Sequence, residues 1–312
     1  MVLTFAYKAF FDGIGRTRVH LYAALVMNVL NIGLNYVMIY GSPALGVPAM
    51  ALKGAGLASA ISTYVGLIIM IGISLGPASR PYNFYRWAHT RWRIVRDIVR
   101  LMLPSGSATV ILMAGFMLFM RFVGEIDAEV GGNTYSAATK ALMDTASLCF
   151  MPVIALGTAT ATAVSQSLGA GKPNLAARYG WESVRLGVYA MFVIATLFLL
   201  FPQEILRVWA PNDPAVAEAG AGALRIVAAG LPAMVAGLIL SQALYGAGAN
   251  TFVMVVEGIL HFGVLVPVSW LLGPRLGYGL EGVWLAACLY TNLMGLAMAL
   301  KFAGRSWRSI RL

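Results

Sequence analysis

Long apolar stretches alternate along the whole chain with short polar or glycine-rich connections. A helix needs about 20 mostly apolar residues to cross a bilayer. Stretches meeting that length run over residues 19–40, 54–75, 101–123, 134–156, 181–201, 222–246, 250–272 and 280–302. Residues 1–12 read as the last half of another helix. Strands of a membrane barrel would alternate in polarity over segments of about 10 residues, whereas these runs are continuous. Buried helices of a soluble protein would carry polar faces, and these have almost none. The pattern predicts an all-α polytopic membrane protein built as a helical bundle.

Composition agrees. Of the 312 residues, 60% are hydrophobic and only 11% charged, against about 25% charged in soluble domains; the mean hydropathy is +0.79. The 34 glycines and 13 prolines lie within or beside apolar runs, where membrane helices tolerate them because neighbouring groups re-satisfy the backbone. The excess of 22 basic over 12 acidic residues forms no soluble basic module, so no nucleic-acid partner is expected. Cys149 and Cys288 lie inside apolar stretches, which points to neither a disulfide nor a zinc site. The chain contains no His-Glu-x-x-His and no Gly-x-x-x-x-Gly-Lys, and no enzyme is expected.

Charge placement sets an orientation. With the loop after residue 12 in the cytoplasm, that side collects Lys8, Arg16 and Arg18, the arginines from Arg80 to Arg100, Lys172, Arg178, Arg185, Lys301, Arg305, Arg308 and Arg311. Only Lys53, Arg121, Lys140, Arg207, Arg225 and Arg275 fall outside or within spans. The positive-inside rule then predicts a cytoplasmic C-terminus in a multi-pass protein of the cell (inner) membrane. The acidic stretch Glu125–Glu129 becomes an outer loop. Residues 77–100 mix Arg86, Arg91, Arg93, Arg96 and Arg100 with Tyr82, Phe84, Tyr85, Trp87 and Trp92. That composition suits either a helix at the headgroup layer, against membrane lipid, or a solvated linker. It divides the chain into 1–76, a basic linker 77–100, and 101–312.

The chain also resembles itself. Phe10-Phe11-Asp12-Gly13-Ile14-Gly15-Arg16-Thr17 and Ala243-Leu244-Tyr245-Gly246-Ala247-Gly248-Ala249-Asn250 each place Gly-x-Gly just before an apolar run. Each run reaches a glycine-rich turn, 41–46 and 273–277, and then Lys53-Gly54 or Glu281-Gly282 opens another span. Copies reading in the same sense are parallel repeats, as in transporters whose halves are related by an axis along the membrane normal. Four spans precede the second copy and half of one precedes the first. Matching halves would therefore mean that the N-terminal lobe lacks its first three helices and most of a fourth.

These residues carry a family likeness. Gly13-Ile14-Gly15-Arg16-Thr17 with Asn28-Val29-Leu30-Asn31-Ile32-Gly33-Leu34-Asn35-Tyr36 resembles the fifth helix of multidrug and toxic compound extrusion (MATE) transporters. Leu103-Pro104-Ser105-Gly106 is similar to the start of the seventh, and Phe150-Met151-Pro152 with Gln166-Ser167-Leu168-Gly169-Ala170-Gly171 to the eighth and the loop after it. Leu244-Tyr245-Gly246-Ala247-Gly248 and Gly282-Val283-Trp284-Leu285-Ala286 resemble the tenth and twelfth. The resemblance implies two six-helix lobes, of which this chain supplies the end of helix four through helix twelve. It also implies a monomer that exports small organic, often cationic, compounds in exchange for H+ or Na+, with no other cofactor. The carboxylate that family members often carry soon after Leu-Pro-x-Gly is absent between Ser107 and Phe116.

Ionisable side chains within a span are costly, about 2.5–3.5 kcal/mol at mid-helix on the insertion scale, so each calls for a role. Asp144 with Lys140, and Glu257 with His261, are spaced i,i+4, which puts each pair on one face and in contact. They are the candidates for cation or proton coupling, with a structural ion pair as the other reading of Lys140–Asp144. Asn28, Asn31, Asn35, Gln242 and Tyr245 are candidates to line a substrate cavity or to hydrogen-bond between helices. Two other readings remain at this point. A lipid-linked oligosaccharide flippase of the same superfamily would want several cations lining its cavity, and an inactive or scaffold remnant is the reading that the missing helices support.

Overall fold

The computed structural model describes residues 2–77, 79–82, 85 and 91–309. Among them there is no β-strand beyond an isolated bridge between Ser42 and Val47, and eight helical segments are long and apolar enough to cross a membrane. The architecture is an all-α polytopic bundle, as the apolar runs predict. The chain separates into two compact units, residues 1–91 and 92–312.

In the first unit α1 (Val2–Gly13), α2 (Arg18–Tyr40) and α3 (Ala51–Ser74) follow one another through short turns. Phe11, Ala23 and Met70 form its buried core. A 3-10 turn, Arg80–Tyr82, follows α3, and the Tyr85 hydroxyl lies 2.8 Å from that of Tyr7 and 2.5 Å from that of Ser74. Arg86, Phe84 and Trp87 of the expected basic linker, and Arg311, lie outside the described residues.

In the second unit the helices are α4 (Trp92–Val130), α5 (Thr134–Gly169), α6 (Pro173–Leu200), α7 (Pro202–Arg207), α8 (Pro214–Gly246), α9 (Asn250–Leu260), α10 (Val266–Trp270) and α11 (Gly279–Ala303). Two π-helical turns, His261–Leu265 and Leu271–Arg275, join and follow α9 and α10, so that Asn250–Arg275 makes one span. The core centres on α8, which packs chiefly against α5, α11 and α6. Close approach there depends on small residues: a Cβ at Gly237 would stand 2.9 Å from the Gly295 Cα, as expected where helices associate by backbone proximity rather than by the hydrophobic effect.

Several boundaries differ from those the sequence predicts. Residues 92–100, assigned to the connecting segment, are the opening turns of α4. At 39 residues and 1.5 Å per residue, α4 spans about 58 Å, so it extends beyond the apolar layer. The acidic stretch Glu125–Glu129 is not a loop but lies inside α4 near its C-terminal end. Asp127, 4% exposed, accepts hydrogen bonds from the backbone N–H groups of Tyr135 and Ser136, both 2.8 Å, supplying acceptors that the start of α5 would otherwise lack. The polar end of a helix, rather than a solvated turn, explains why a carboxylate is buried there. Likewise α5 continues through Gly169, beyond the span expected to end at residue 156.

The two repeat copies fold alike at their turns. Gly15 and Gly248 both adopt positive φ, 76° and 78°, where glycine alone is unstrained. Gly15 N–H donates to Asp12 O and Arg16 N–H to Phe11 O; Gly248 N–H donates to Tyr245 O and Ala249 N–H to Leu244 O. At the far end, a Cβ on Gly54 would overlap the Met38 carbonyl, and one on Gly282 would crowd that of Leu272. In both copies a glycine lets the second helix begin directly against the end of the first.

Candidate functional site

A cavity of about 590 Å3 opens inside the second unit between α4, α5, α8, α11 and the span that contains α9. That size falls within the range of small-molecule pockets. Each helix contributes a stripe of side chains at i, i+3 and i+4 spacing: Thr109, Leu112, Met113 and Phe116 from α4, for example, and Trp284, Ala287, Cys288 and Thr291 from α11. The lining is mostly apolar and aromatic. Among the described residues Glu257 is the only carboxylate in it, and they contribute no lysine or arginine to it.

Glu257 is half-buried, and among the described residues its carboxylate forms no ion pair. It stands on the last full turn of α9 before the helix widens into its first π turn, which begins at His261. Such local widening recurs at functional sites because it re-aims side chains. His261 is 1% exposed, and its Nδ1 lies 2.9 Å from the main-chain carbonyl of Glu257. A carbonyl can only accept, so Nδ1 carries the proton, and in the neutral ring Nε2 is left as an acceptor. The i,i+4 spacing therefore joins His261 to the backbone of Glu257, not to its carboxylate as the sequence leads one to expect. The imidazole also packs edge-on against Tyr290, centroids 4.4 Å apart.

The other coupling candidates lie elsewhere. Lys140 Nζ donates to both carboxylate oxygens of Asp144, at 2.6 and 2.5 Å, with Lys140 71% exposed and Asp144 32%. Neither lines the cavity, although their neighbours Met143 and Ala146 do. Gln242 and Tyr245 line it from α8. Asn28, Asn31 and Asn35 belong to the first unit. There Asn35 Nδ2 donates to Asn31 Oδ1 at 2.9 Å and Asn31 Nδ2 to Ser59 Oγ at 3.4 Å, a ladder along α2 and across to α3, while Asn28 is exposed.

The sequence does not single out Thr109, Trp284, Tyr290 or Thr291. Their helical spacing is legible, but in helices that are apolar all round it looks the same as a lipid-facing stripe. It also leaves Asn250 unmarked. Its Nδ2 donates to Leu101 O (3.1 Å) and Ser105 Oγ (2.8 Å), pinning the start of α9 to α4 beside Pro104. One spacing typical of nucleophilic serines, Gly72-Ile73-Ser74-Leu75-Gly76, lies where α3 ends, and the Ser74 hydroxyl is held by Ile71 O at 2.6 Å; it follows no strand and belongs to no catalytic group.

Comparison with known proteins fits this arrangement. Residues 104–271 match the MatE family model. The chain belongs to the MATE family. It is 30% identical to a probable multidrug resistance protein NorM of Rhizobium meliloti over 98% of the chain, and 29% identical to one of Pseudomonas putida over 99%. The chain spans 64% and 66% of the lengths of these relatives. In fold it is similar to a MATE crystal structure in the bent conformation, with a TM-score of 0.82 at 17% identity over 97% of this chain and 65% of that one. It is also similar to the MATE transporter ClbM in complex with Rb+, with a TM-score of 0.72 at 22% identity over 99% of this chain and 64% of the other. MATE proteins are membrane transporters, not enzymes, and this member is a multi-pass membrane protein.

Proposed function

We propose that this MATE protein works in an ion-coupled antiporter that exports small organic, often cationic, compounds by alternating access. Glu257 is its coupling group. The observation that carries this reading is an acidic side chain without a counter-charge in the wall of an apolar, drug-sized cavity. A carboxylate in that setting is expensive to leave charged and bare, so it gains most from binding a proton, Na+ or a cationic substrate. Exchange of one for another shifts the balance between two arrangements only in so far as each ligand favours a different one. Gln242, Tyr245 and His261 are polar groups in the wall of the same cavity. Lys140–Asp144, already neutralised within α5 and outside the cavity lining, fits a structural ion pair better. The flippase reading wants cations in the cavity, and the described residues of the lining include no lysine or arginine. The charge bias further supports the inner membrane with the C-terminus in the cytoplasm.

The test is ethidium transport by the chain reconstituted in proteoliposomes under an imposed pH or Na+ gradient. Gradient-driven movement that is lost in Glu257→Gln is the expected result. Equal transport by wild type and Glu257→Gln would remove the residue from the mechanism, and no gradient dependence in either would remove the antiport.

A further inference from the structure

At one end of the second unit the foot of α6 meets the C-terminal turn that follows α11. Trp307 is fully buried, stacks on Phe302 with centroids 4.5 Å apart and donates from Nε1 to Phe302 O at 2.6 Å. Phe302 in turn meets Trp181 of α6 edge-on. This anchoring carries Arg308 to α6, where its Nη1 donates to Asn174 Oδ1 at 2.9 Å.

The guanidinium of Arg308 also lies over the Trp307 ring, 5.5 Å from its centroid. Its Nε is buried without a partner, although a guanidinium stays charged at any physiological pH and offers five N–H groups in a fork that matches phosphate. Arg178 stands one turn beyond Asn174 on the same face of α6, and side chains on a helix lean towards its N-terminus, which tilts Arg178 back towards Arg308. Lys172 precedes the helix, and both Lys172 and Arg178 are exposed. Neither 169–181 nor 282–309 contains a carboxylate; Glu182, the next along α6, is engaged by Arg185 at 3.2 Å. Past this basic foot α6 presents exposed Leu186, Tyr189, Phe192, Val193, Leu197 and Leu200, an apolar surface suited to acyl chains.

From this we propose that Arg308 and Arg178 hold the phosphate of an anionic phospholipid, with its chains laid along α6. A basic foot continuous with an apolar helix face matches a lipid, whereas a free phosphate would have no use for the apolar face. Juxtamembrane arginines attract anionic lipid by about 1 kcal/mol each, so two amount to about a 30-fold preference.

Native mass spectrometry of the purified chain, titrated with phosphatidylglycerol or phosphatidylcholine of the same acyl chains, reads this directly. The first phosphatidylglycerol should bind about 30-fold more tightly than phosphatidylcholine. Arg178→Gln with Arg308→Gln should remove most of that preference, and the paired lysine variant should keep much of it. Arg207→Gln, on α7, should leave it unchanged. An undiminished preference in the glutamine variant, or none in the native chain, overturns the proposal. So does inorganic phosphate binding at these arginines without any preference between the two lipids.

Discussion

The imidazole of His261 occupies the space left open by the missing side chain of Gly115. A Cβ on that glycine would overlap the ring at Cδ2. The ring cannot retreat freely, because its Nδ1 is tied to the Glu257 carbonyl and Tyr290 flanks it. Overpacking of a confined site costs about 1–3 kcal/mol, so Gly115→Ala should lower the thermal midpoint of the detergent-solubilised protein and impair transport together. Gly124, on the same helix with nothing within 4 Å, should accept alanine with no loss, since alanine is the better helix former.

Glu257→Gln and Asp144→Asn should separate. The first removes the only carboxylate that the described residues contribute to the cavity lining and should reduce gradient-driven transport about tenfold or more while leaving the fold intact. The second breaks a partly exposed pair of a kind worth about 0.2–1 kcal/mol, and should leave transport within about twofold of wild type. Transport lost in Asp144→Asn but kept in Glu257→Gln would reverse the assignment of the coupling group.

Asp127→Ala should destabilise the protein by about 1–2 kcal/mol, since two backbone donors at the start of α5 lose their acceptor. The loss would appear as a lower melting temperature with unchanged substrate affinity, because Asp127 is not in the cavity lining. An unchanged melting temperature would mean that water takes over the cap.

Cys288 lines the cavity, whereas Cys149 is 1% exposed and does not. A small methanethiosulfonate reagent should therefore modify Cys288 and spare Cys149, and a transported cation should slow the reaction. Modification at Cys149 alone would place the water-accessible path elsewhere.

The contact between α4 and the start of α9 gives a fourth contrast. Asn250→Leu removes both hydrogen bonds to the Leu101–Ser105 turn and should cost more than Ser105→Ala, which removes one of them together with the weak bond from Ser105 Oγ back to Leu101 O on its own helix. Combined in a double-mutant cycle, the two changes should be less than additive, as is usual for groups that share a bond.

The continuous apolar runs were enough to determine that this chain is a helical membrane protein. Their length relative to the bilayer allows few other structures, because every backbone group in lipid must be paired within its own helix. The paired Gly-x-Gly turns were legible for a related reason: the positive φ at Gly15 and Gly248 demands glycine wherever the chain reverses in that way. Helix ends were less legible, since polar residues such as Arg93 or Asp127 continue a helix beyond the apolar layer without any change of local propensity.

What only the tertiary structure decided was which ionisable residue meets the cavity. Asp144 and Glu257 look alike in sequence, each a carboxylate with a basic neighbour four positions on or back. One is neutralised by a lysine on its own helix, away from the cavity, and the other is left bare in the wall of a chamber, because four other helices converge with its span around that chamber and contribute no lysine or arginine to the lining among the described residues. A helix that is apolar on every side does not reveal which side faces lipid and which faces its neighbours; only packing makes that distinction.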